Sequence, residues 1–77
     1  MKQDLTNLLR AVPFVPFTVK TRDGEVHAVN TVERMSVGNN VCTYIDGEGY
    51  VLLIPYHAID QVAVPDAEHS ITQTKAQ

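Results

Sequence analysis

The chain has a single cysteine, Cys42, and six basic residues against nine acidic ones. One cysteine cannot pair within a chain, so the disulfide framework that staples small secreted domains is excluded. A structural zinc site is disfavoured as well, because it takes several Cys or His ligands at recognisable spacing. No metal or cofactor is expected. The formal net charge of −3 works against strong non-specific binding of nucleic acid, which depends on Lys and Arg neutralising phosphates. A local RNA site stays open. Long apolar runs are missing too. Runs such as Val51–Pro55 fall far short of the ~20 residues that cross a bilayer, so no membrane partner is expected. Lys2 is followed by no apolar stretch of the signal-peptide kind, and the expected location is the cytoplasm.

What is present suits one small folded unit. The 77 residues are 44% hydrophobic, enough for a globular domain but too short a chain for two. A domain of this size buries only about 60% of its unfolded surface, so its stability alone is marginal and association with further copies would add to it.

Residues 3–12 read as a short helix. Leu5, Leu8, Leu9 and Val12 fall on one apolar stripe, Asp4 is the expected N-cap, and Pro13 ends the helix. The proline-rich stretch through Phe14 and Pro16 is extended. Alternation then marks a strand, with Phe17, Val19 and Thr21 on one side and Thr18, Lys20 and Arg22 on the other. Asp23-Gly24 reads as a hairpin turn of type I′, which needs positive φ at both positions. A second strand covers 25–32, with Val26, Ala28, Asn30 and Val32 on one face and His27 and Val29 on the other. Residues 33–37 are ambiguous, a continuation of that strand through a bend being one possibility. Gly38-Asn39-Asn40 is a turn, 41–45 a third strand, and Asp46-Gly47-Glu48-Gly49 a second hairpin turn. Tyr50 to Ile54 is nearly all apolar and is expected to be a central strand buried on both faces. Pro55-Tyr56-His57 interrupts as a single tight turn, and 59–64 resumes alternation. Pro65 closes a domain spanning 1–65, and the polar residues 66–77 are expected to be a flexible tail.

Several side chains invite a chemical reading, each beside a plainer one. His57, after Tyr56 in the tight turn, suits a polar contact to a ligand with Tyr56 as a stacking platform, or a turn histidine satisfying a nearby backbone group. Glu25 and His27 share a strand face beside Asp23, an acid–base or metal cluster at most, although two ligands from one strand are too few for zinc; a solvated hairpin edge is the plainer account. Asp46 and Glu48 around Gly47 are read in the same way. Cys42 lacks a local base and reads as a small buried thiol rather than a nucleophile. Pro13-x-x-Pro16 fits the minimal pattern of a polyproline ligand, or simply a stiff connector. Lys20, Arg22 and Arg34 form a thin basic set among Asp23, Glu25 and Glu33. No catalytic residues converge, and no enzymatic activity is expected.

Two family resemblances follow from these motifs. Pro13-Phe14-Val15-Pro16-Phe17, then Asp23-Gly24, then Ile54-Pro55-Tyr56-His57-Ala58-Ile59 resembles a family of small uncharacterised bacterial proteins with the pattern PFxPF, DG and a closing hydrophobic–His–Ile segment. That resemblance spans residues 9–64 and implies no activity. More distantly, the order helix, five short strands and polar tail resembles the bacterial Sm-like RNA chaperone family, Hfq. Gln3-Asp4 with Leu8-Leu9-Arg10 is similar to the start of its helix, and Tyr56-His57-Ala58-Ile59 with Val64-Pro65 to its second motif. Tyr56 directly precedes His57 here, without the family's intervening lysine, and Ala11-Val12-Pro13 stand where a basic rim would follow the helix. The resemblance implies a ring-forming barrel whose uridine-binding face would include Gln3 and His57; an RNA-binding reading adds Tyr56 as the stacking platform beside them.

The expected fold is therefore mainly β with one short N-terminal helix: a small five-stranded antiparallel SH3/Sm-like barrel. The expected role is a non-enzymatic interaction or assembly module, a homo-oligomer joined through strand edges, with Val51, Leu52, Leu53, Ile54, Ile59, Val62 and Val64 as its core or seam. A protein partner is unspecified. Binding of single-stranded, U-rich RNA is the alternative.

Overall fold

Leu5 anchors the N-terminal helix: it is fully buried, with Leu8 and Leu9 packed beside it against the core. The computed structural model describes residues 1–65; the expected tail, 66–77, lies outside the described residues. The helix, α1 (Lys2–Arg10), starts one residue before the expected point. Met1, not Asp4, is the N-cap, and it makes no side-chain capping bond. Asp4 instead sits in the first turn, where its carboxylate still faces the positive end of the helix. The helix also stops early. Ala11 is already extended, as the chain approaching Pro13 requires, so Val12 leaves the stripe and is almost fully exposed.

Six strands follow, one more than expected: β1 (Phe17–Thr21), β2 (Val26–Val29), β3 (Met35–Val37), β4 (Val41–Ile45), β5 (Val51–Pro55) and β6 (Ile59–Ala63). The ambiguous region resolves into a 3-10 turn, Val32–Arg34, followed by β3, so the second expected strand is divided. A second 3-10 turn, Tyr56–Ala58, occupies the expected tight turn before the last strand. The strands form two antiparallel three-stranded sheets, the first in order β2-β1-β6 and the second in order β3-β4-β5.

Both hairpin turns use three-residue loops, so the two-residue type I′ turn expected at Asp23-Gly24 is not formed. Thr21 donates its amide to Glu25 and accepts from Gly24; Asp46 donates to Tyr50 and accepts from Gly49. Gly24 and Gly49 close these loops at φ of 94° and 91°, the left-handed conformation that the bulged position of such a loop demands. Aspartate supports each loop. Asp23 accepts from the Thr21 hydroxyl and the Glu25 amide, and Asp46 accepts from the amides of Glu48 and Tyr50.

The core lies between the sheets and under the helix. Phe17, Val19 and Val29 reach it from the first sheet, Met35, Cys42, Tyr44 and Ile54 from the second, and Ile59 from β6. Tyr44 ties the sheets together by donating its hydroxyl to the Ala28 carbonyl at 2.8 Å. The tenth buried residue is polar: Thr21 satisfies its hydroxyl on Asp23 and Glu25. β5 is not the doubly buried central strand that its composition suggests. It is an edge strand, with Ile54 buried and Leu52 half-buried while Val51 and Leu53 are 61% and 69% exposed.

Candidate functional site

β5 places its backbone and half of its side chains in the open. The amide of Asp46 bonds to the Tyr50 carbonyl, and bonded and non-bonded pairs alternate along an antiparallel ladder. From that pair, Leu52 and Ile54 fall in bonded pairs with Tyr44 and Cys42. Val51 and Leu53 therefore turn their N–H and C=O groups toward the free edge. Pro55 falls on the same side, where its missing N–H leaves no ladder bond unmade. No residue of β5 is charged. β6 is also an edge strand, but the register shift where it meets Lys20 and Thr21 makes exposed Asp60 an extra, unpaired residue. A bulge and a charge are two devices that blunt an edge; β5 has neither.

An open cleft of about 450 Å³ borders the β5 edge. The β1–β2 hairpin contributes Arg22, Asp23, Glu25 and His27 to its lining, and His57 lines it as well. His27 is held firmly: its ring is 12% exposed, lies 4.9 Å from the Tyr44 ring, and places Nε2 3.4 Å from Glu25 Oε1. It is thus an inward-facing residue of β2, whereas Val26 on the alternate face is exposed. The Thr21 hydroxyl, foremost, and the Glu25 amide hold the Asp23 carboxyl below its ordinary range, because both donate to the ionised form. Among the described residues no group of three or more His, Cys, Asp and Glu side chains is placed to hold a metal ion.

Two of the three residues of the expected basic set are occupied. Arg22 donates from Nε to the His57 carbonyl at 2.7 Å, and its amide bonds to the Ala58 carbonyl. Arg34 grips the carbonyls of Ile45 and Asp46 through one guanidinium nitrogen. Each spends its fork on the backbone of a neighbouring turn, and Lys20 stands on the exposed side of β1.

The residues of the RNA alternative are separated within one chain. Gln3 lines a different depression, between α1 and β3, and bonds to Asn7 along the helix. Tyr56 is half-buried against the core, with its hydroxyl on the Gly38 carbonyl, and burial pushes that hydroxyl's pKa up. His57 is exposed. Cys42 is fully buried, and desolvation pushes its thiol up, away from the reactive thiolate. Of the seam residues, Ile54 and Ile59 belong to the core, Leu52 and Val62 pack against it, and Val51, Leu53 and Val64 are exposed.

Ile45, Thr43 and Tyr50 were not among the expected seam residues, yet Ile45 and Thr43 stand opposite Val51 and Leu53 on one face of the second sheet. Counting outward from the Asp46–Gly49 turn pairs them, so the signal was present in the sequence once the loop length was fixed. No family model matches the chain, and no curated protein or solved structure matches it either. No helix among the described residues is long and apolar enough to cross a membrane.

Proposed function

We propose that this chain is a non-enzymatic interaction module: a small SH3/Sm-like barrel that assembles with copies of itself through its strand edges. One observation carries the proposal. β5 is an unguarded edge strand, uncharged along its length, with Val51 and Leu53 each more than 60% exposed beside its free N–H and C=O groups. Counting β2 and β3 as halves of one strand bent at Val32–Arg34 gives five strands in the order β6-β1-β2/β3-β4-β5, which supports the barrel. The free edges then lie at opposite ends of that order. β5 of one copy meets β6 of the next, a head-to-tail contact that closes into a ring if the rotation allows.

Binding of U-rich RNA finds less support. Gln3 and His57 line separate depressions of a chain, and the Tyr56 ring is committed to the core.

The edge contact is tested by comparing Leu53→Pro with Leu53→Ala in native mass spectrometry. Both remove the leucine, but only proline removes the outward N–H. The alanine variant should keep the edge-linked assembly and the proline variant should lose it. Equal masses for the two variants would contradict edge pairing.

A further inference from the structure

We propose that the outer face of the second sheet is a separate contact surface, packed against the same face of a second copy about a two-fold axis. The cross-strand pairs on this face are Val41–Pro55, Thr43–Leu53 and Ile45–Val51, with Ser36 beside Thr43. None of these residues is charged, and Val51 and Leu53 are 61% and 69% exposed. An antiparallel sheet with one side in water normally alternates apolar-in and polar-out. Here the inner positions Met35, Cys42, Tyr44 and Ile54 are buried and apolar, and the outer ones remain mostly apolar. An exposed apolar patch of this kind marks a contact surface.

The occupant follows from charge. A two-fold contact sets the same patch on both partners, so a face bearing charges of one sign would repel itself, while an uncharged face is self-compatible. The two ends of the face differ. The β4–β5 turn carries the carboxylates of Asp46 and Glu48, partly offset by Arg34, which grips that turn's backbone. The β3–β4 turn, at the other end, carries the Lys2 ammonium, 2.8 Å from Asn39 Oδ1. A two-fold axis lying in the interface across the strands reverses one sheet over the other, bringing each acidic turn over the partner's Lys2. Sheets packed this way sit about 10 Å apart with their side chains interdigitated.

This contact uses outward side chains, whereas the edge contact proposed above uses the β5 backbone, so the two are separable. Thr43 lies on the central strand of its sheet. Thr43→Glu adds a charge at the middle of the face and leaves the β5 edge intact. Sedimentation equilibrium of the full chain at micromolar concentration should give half the wild-type mass for Thr43→Glu. Val51→Lys, at a position already well exposed, should do the same, which guards against a folding defect in the first variant. If the wild type is a dimer that Thr43→Glu makes monomeric while Leu53→Pro weakens it no more than Leu53→Ala does, the face contact stands and the edge contact fails. Unchanged mass for Thr43→Glu and Val51→Lys overturns the face contact, whatever the edge does. A wild type that is monomeric throughout overturns both.

Discussion

The two sheets share a core but present opposite outer surfaces. On the first, Thr18, Lys20 and Gln61 stand among Val26, Ala28 and Ala63, and the free edge of β6 carries the bulged, charged Asp60. On the second, no outward strand position is charged, and β5 leaves its edge unguarded. The inner faces of both are mostly apolar and largely buried, with Thr21 and His27 as the polar residues of the first. Folding a single chain therefore explains the inner faces of both sheets and the outer face of only the first. The outer face of the second sheet makes physical sense once something covers it.

The largest effect tests what the sheets have in common. Phe17 is 1% exposed in β1 and packs into the shared core, so Phe17→Ala should cost about 3–5 kcal/mol. In urea, circular dichroism, which senses the whole backbone, and labelling of the Cys42 thiol, which senses the second sheet, should report one coincident transition. Separate transitions would mean that the sheets are independent and the comparison is between two units.

A smaller loss is expected where the sheets are tied. Tyr44→Phe removes the hydroxyl bonded to the Ala28 carbonyl and should cost about 1–2 kcal/mol, measured by the same unfolding curves. A loss below the error of those curves would show that water replaces the bond and that packing alone holds the sheets together.

Exchanging surface character sharpens the contrast directly. Lys20→Leu adds an apolar side chain to the first outer face, and Leu53→Lys adds a charge to the second. Each should change the folding stability of one chain by no more than about 0.5 kcal/mol, as exposed positions usually do. Only Leu53→Lys should lower the assembled mass. A lower mass for Lys20→Leu would place a contact on the first sheet too.

The mildest effect concerns the two aspartate-supported loops. The Asp23 carboxyl titrates below its usual range, mainly because the Thr21 hydroxyl donates to it. Its ionised form is favoured in the folded chain, so its contribution is complete above the ordinary carboxylate pKa of about 4. That contribution fades as pH falls through the lowered native value. Asp23→Asn should flatten this acid limb in a series of unfolding curves. An unchanged slope would show that the loop geometry holds without the charge.

Much of this arrangement was legible in the chain. The leucine stripe located α1, and the two Asp/Gly turns located both hairpins, because φ near +90° leaves few alternatives to glycine. Three features were not. Asp4 looked like a cap, but the backbone at Met1 could extend the helix by another residue at no evident cost. Residues 32–34 carry no glycine or proline to announce the turn that divides the second expected strand. The run from Tyr50 to Ile54 is apolar at every position, and periodicity cannot distinguish a strand buried on both faces from one whose outer face awaits a partner. The grouping of Gln3 with Tyr56 and His57 rested on resemblance alone, and a sequence cannot show that Tyr56 turns inward to reach Gly38.

The most direct measurement is sedimentation equilibrium of the unaltered chain across the micromolar range. An exposed, uncharged face and an open β5 edge predict mass well above the 8.5 kDa of one chain, rising with concentration toward a fixed multiple. A mass of one chain at every concentration would contradict the claim that the second sheet is a surface for copies of this protein.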